Sequence, residues 1–76
     1  MIDFSIKFYK CQVTTENGNI YKFYLAKRNI SDARAYVESY LINHNDRYHI
    51  TANNTIDLIE VSTESYGTEY GYTIIN

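Results

Sequence analysis

The stretch YKCQVTTENGNIYKFYL, residues 9–25, decides the fold. It reads as a β-hairpin closed by Glu16, Asn17 and Gly18, with Gly18 free to take the positive φ that ends a three-residue loop. In that register Thr15 faces Asn19, Val13 faces Tyr21, Cys11 faces Phe23 and Tyr9 faces Leu25, so these side chains build one apolar face. Thr14, Ile20, Gln12, Lys22, Lys10 and Tyr24 take the other, more polar face. A two-residue Asn17-Gly18 turn would instead place Val13 opposite Lys22 and Gln12 opposite Phe23, which leaves no coherent core side. The three-residue loop is therefore the expected one.

Upstream, Ile2, Phe4, Ile6 and Phe8 alternate with Asp3, Ser5 and Lys7, and the phase changes at Tyr9. A strand changes its inward face only through a bulge, a twist or cover on both sides. Two arrangements fit: a long first strand broken near residues 7–9, or an early edge segment that pairs with another chain.

Downstream, Ser31 is the expected helix N-cap and Asp32 suits the positive helix end. Ala33, Tyr36, Val37, Tyr40 and Leu41, with His44, recur at the spacing of one helical face, and Arg34 and Glu38 form a four-apart pair on another. Tyr36 and Tyr40 are expected at the border of that face. The asparagines at 43 and 45 mark the exit. Residues 48–51 suit a short strand and 53–54 a turn. Residues 56–61 are apolar on both faces, as in a central strand, and 62–67 read as a polar loop. The segment 68–75 alternates Tyr70, Tyr72 and Ile74 with Glu69, Gly71 and Thr73, which predicts a last strand. The expected fold is thus α+β, a single compact domain over residues 1–76: ββαββ, a mainly antiparallel sheet with one helix on one face, and room for an extra short strand.

Length and charge narrow the function. A chain of 76 residues holds one modest core, and its formal charge of −2 is mild. A single cysteine, Cys11, allows neither an internal disulfide nor a multi-cysteine zinc site, and it falls on the core face. His44, Asp46 and His49 lie in one loop without convergent spacing, so no metal and no cofactor is expected. The serines have no base at informative spacing and the carboxylates form no close pair, so a non-enzyme is expected. No segment has the length of a membrane span and the N-terminus lacks a signal-peptide core, which points to the cytoplasm and away from a membrane partner.

The aromatic share of 16%, mostly nine tyrosines, is the unusual property. No Lys or Arg follows Arg47, and Glu60, Glu64 and Glu69 lie among Tyr66, Tyr70 and Tyr72. Together with Tyr48 these make the expected protein-binding surface, with Tyr66 in its loop and then Tyr48 as the exposed anchors. Its acidity suits a larger, basic partner, such as a protein that normally binds nucleic acid. The abundance of Asn, Ile, Tyr and Lys matches an AT-rich coding sequence and suggests a low-GC bacterium or one of its phages. The leading expectation is a phage or mobile-element inhibitor of a host nucleic-acid-binding or defence protein, such as an anti-CRISPR protein. The alternatives are single-stranded nucleic-acid binding through Lys7, Lys10, Lys22, Tyr24, Lys27 and Arg28, or a self-assembling homodimer that uses unguarded strand edges. Direct nucleic-acid binding is the weaker of these readings, because Glu16, Asp32 and Glu38 offset the basic residues.

Overall fold

The computed structural model describes residues 5–75. The chain forms β1 (Lys7–Thr14), β2 (Ile20–Lys27), α1 (Ile30–Asn43), β3 (Thr55–Val61) and β4 (Thr73–Ile74). They make a small α+β domain of ββαββ order with a mixed, mainly antiparallel sheet, and the helix packs on one sheet face.

The hairpin has the three-residue loop. Thr15 N–H donates to the Asn19 carbonyl at 2.8 Å, Gly18 has φ 90°, and Val13, Cys11 and Tyr9 face Tyr21, Phe23 and Leu25. The alternation at Ile2 and Phe4 lies outside the described residues. Ser5 and Ile6 are exposed and precede β1.

The helix is capped two residues earlier than Ser31. Asn29 is the N-cap, and its side-chain carbonyl accepts from Asp32 N–H at 2.8 Å. Asn and Ser are equivalent caps, and extended Asn29 leaves Ile30 to open the first turn. Ala33, Val37 and Leu41 are buried against Tyr9, Cys11, Val13, Phe23 and Leu25. Arg34 does not pair with Glu38; its guanidinium reaches the Ile56 carbonyl at 3.1 Å, so it ties the helix to β3. The helix ends at Asn43, where His44 N–H donates to the Tyr40 carbonyl at 3.0 Å and the His44 ring stacks on Tyr40.

Three expectations fail. Residues 48–51 are not a strand. Tyr48 instead turns inward against Tyr21, Phe23 and Tyr40 with ring centroids 5.1–5.8 Å apart, where burial of its ring outweighs an edge pairing. The segment 56–61 is not central, because the sheet order is β3-β1-β2-β4 and β3 is an edge. The last strand has two residues rather than eight and runs parallel to β2, because Gly67 and Gly71 adopt φ 76° and 90° and turn the chain over the sheet.

Cys11 is fully buried at the centre of the helix-side core. Burial pushes its thiol up from 9.0 to about 12. Up to about pH 9 both folded and unfolded chains hold the thiol proton, and the buried neutral thiol contributes fully. Above that the unfolded chain loses the proton first, so stability falls as pH rises from 9 towards 12. Urea unfolding across this range is expected to show a steeper alkaline loss for the native chain than for Cys11→Ala, by up to about 1.4 kcal/mol per pH unit. Identical slopes would show that the thiol is solvated.

Candidate functional site

The β1–β2 hairpin sends odd-numbered residues to the helix and even-numbered ones to the opposite, outer face. After β3 the chain crosses that outer face as a flap, residues 62–72, before β4 joins the β2 edge. The flap brings parts of the two expected surfaces together on the same face.

Lys10 Nζ donates to Glu69 Oε1 at 2.6 Å, an exposed pair worth little to stability but enough to aim both groups. The hydrogen bond to Glu69 holds the Lys10 pKa above its ordinary value. The Tyr72 ring takes Lys10 and Lys22 ammoniums at 5.5 Å each. Beneath it Tyr24, 1% exposed, packs against Tyr72 at 4.8 Å and Tyr66 at 5.3 Å, and Tyr66 packs against Phe8 at 4.7 Å. Phe8, Tyr24, Tyr66 and Tyr72 are therefore a second aromatic layer under the flap.

Several expected site residues are consequently elsewhere. Tyr66 is not an exposed anchor: its ring is half-buried, and its hydroxyl is enclosed without a hydrogen-bond partner among the described residues. Tyr24 has no free ring face for a base. Tyr48 belongs to the helix-side core rim. Glu60 is exposed but faces the helix side, opposite Tyr9, so the strand pleat separates it from Glu69. Lys7 and Lys27 also fall on the helix side, with Lys27 Nζ 3.8 Å from the Tyr36 ring centroid, and Arg28 is in the loop before α1. The basic set is thereby split between two faces, and Lys10 and Lys22 engage the flap.

Exposed residues are left around the layer. Tyr70 is fully exposed, at 102%, between Gly67 and Gly71, and Glu64 and half-exposed Glu69 precede it in sequence. Beside Tyr72 lies an open groove of about 310 Å³ lined by Lys10, Gln12, Asp57, Leu58, Ile59 and Tyr72. Gln12, Asp57 and Ile59 were not expected there. The signal was available in the β1–β3 register, which pairs Gln12 with Asp57 and Lys10 with Ile59, but only once β3 is placed next to β1. The groove offers one carboxylate, one amide, one engaged ammonium and an aromatic wall. Among the described residues, no three His, Cys, Asp or Glu side chains are grouped to hold a metal ion, and no helix is long and apolar enough to cross a membrane.

Comparison with protein-family models, curated proteins and solved structures yielded no match to this chain.

Proposed function

We propose that this chain is a small non-catalytic protein-binding module that docks a basic protein surface through the flap, with Tyr70 as anchor. The observation that carries the reading is the fate of the tyrosines. Of nine, eight are buried or half-buried, and only Tyr70 is exposed. A tyrosine ring projecting from a glycine-flanked turn brings large contact area with few rotatable bonds. Glu64, Glu69 and Asp57 lie on or beside the same segment, which has no Lys or Arg of its own, so the charge favours a cationic partner.

A host nucleic-acid-binding or defence protein has such a surface, and the composition suits a phage or mobile-element origin. An inhibitor of the anti-CRISPR kind is the concrete form of this proposal. Direct single-strand binding is less favoured, since Tyr24 is covered and Lys10 is paired with Glu69.

The test is affinity capture from nuclease-treated lysate of a low-GC bacterium, with the native chain beside Tyr70→Ala and Glu64→Lys. A protein retained by the native chain is expected to bind Tyr70→Ala about 30-fold more weakly, the loss of a central aromatic anchor. Equal retention by all three would overturn the proposal, as would capture of nucleic acid alone in a parallel run without nuclease.

A further inference from the structure

The outer edge of β3 is unpaired among the described residues, and its guards are few: two carboxylates, Asp57 and Glu60, and the Arg34 guanidinium at one carbonyl. Its seven residues, TIDLIEV, contain neither proline nor lysine. Which backbone groups face outward follows from two observations. The Thr15–Asn19 hydrogen bond sets Tyr9, Cys11 and Val13 toward β2, so their alternates in β1 bond to β3 through Thr55, Asp57, Ile59 and Val61. Ile56, Leu58 and Glu60 then point their N–H and C=O groups away from the sheet. Independently, the Ile56 carbonyl accepts from Arg34 at 3.1 Å, which requires it to face outward.

We infer that two copies of this chain associate by antiparallel pairing of their β3 edges about a two-fold axis at Leu58, forming one continuous sheet. This surface is distinct from the Tyr70 flap. Only the axis at Leu58 pairs all seven residues of the strand with their counterparts. It makes hydrogen-bonded pairs of Leu58 with Leu58 of the partner copy and of Ile56 with the partner copy's Glu60, in keeping with the outward groups. An axis at Asp57 or Glu60 would set like charges face to face, and one at Ile59 would leave Ile56 opposite Ser62, beyond the strand.

Charge completes the match. Arg34 lies at the Ile56 carbonyl, and the partner copy's Glu60 arrives opposite Ile56 on the helix side. Glu60 is exposed and makes no ion pair in its own chain among the described residues. Each dimer therefore gains two Arg34–Glu60 pairs, while the second lone pair of the Ile56 carbonyl accepts the strand hydrogen bond. On the outer face Ile59, 60% exposed, is brought diagonally close to its counterpart.

Sedimentation equilibrium from low micromolar to near-millimolar chain tests this with two single variants. The native chain is expected to dimerise with rising concentration. Arg34→Glu and Glu60→Arg are each expected to weaken self-association at least about tenfold, because each places two like-charged pairs at the interface. An equimolar mixture of the two variants restores opposite charges at both positions and is expected to dimerise as the native chain does. Circular dichroism of each variant establishes that it is folded. A native chain monomeric at every concentration would overturn the inference, as would variants that self-associate undiminished or a mixture no tighter than its components.

Discussion

Tyr24→Ala is expected to lower the free energy of unfolding by about 3–5 kcal/mol, as much as Phe23→Ala on the opposite face. The two residues are neighbours on β2 and point to opposite sides of the sheet, and both are essentially inaccessible. Phe23 lies under the helix against Tyr40 and Tyr48, while Tyr24 lies under the flap between Tyr66 and Tyr72. For a chain of 76 residues, typical total stability is about 4–11 kcal/mol, so either loss removes a large share of it. Urea denaturation followed by circular dichroism measures both. A cost below about 1 kcal/mol for Tyr24→Ala would mean that the outer face is solvated and the flap does not cover it.

Ile75→Ala carries the second large effect, about 2–5 kcal/mol. Ile75 is 3% exposed and belongs to the helix-side core, although the segment just before it crosses the outer face. The chain reaches that core around the β2 edge, where Ile75 N–H donates to the Tyr24 carbonyl at 2.9 Å. Alanine keeps the backbone bond and removes only the packed side chain. The neighbouring Ile74→Ala is the contrast: at 55% exposure its loss is expected to stay under about 1 kcal/mol. Equal, small effects at both positions would show that the end of the chain does not insert into the core.

The hairpin and helix were legible in the sequence because each rests on a short-range pattern. Gly18 sets the loop length, the loop length sets the register, and only one register collects Tyr9, Cys11, Val13, Phe23 and Leu25 on one side. Ala33, Val37 and Leu41 repeat at helical spacing, so the buried stripe was evident, while the choice of Asn29 over Ser31 lies within the latitude of two good caps two residues apart. The edge position of β3 was not legible. Its two-sided apolar content suggested cover on both faces, and Ile59 instead remains exposed beside the groove.

The flap was the larger miss. Tyr70 and Tyr72 alternate as a strand would, and the positive φ of Gly67 and Gly71 that breaks the alternation follows from tertiary packing. Tyr24 looked solvent-facing because Lys10, Gln12 and Lys22 share its side. Lys10 and Lys22 instead engage Glu69 and Tyr72 from the rim of the aromatic layer, and Gln12 lines the groove beside it. For the same reason the acidic and basic surfaces, separate along the chain, meet in space. Both expected anchors turned inward, Tyr66 under the flap and Tyr48 at the rim of the helix-side core, and Tyr70, which was not singled out as an anchor, stands clear.

The placement of the flap over the outer face is the claim on which both the second aromatic layer and the isolation of Tyr70 depend. A nuclear Overhauser spectrum of the aromatic protons tests it most directly. Cross-peaks are expected between Tyr24 and both Tyr66 and Tyr72, and between Phe8 and Tyr66, whose ring centroids lie 4.7–5.3 Å apart, while Tyr70 shows none to the sheet. Tyr66 and Tyr72 without contacts to Tyr24 or Phe8, and with the shifts of free tyrosine, would contradict the account.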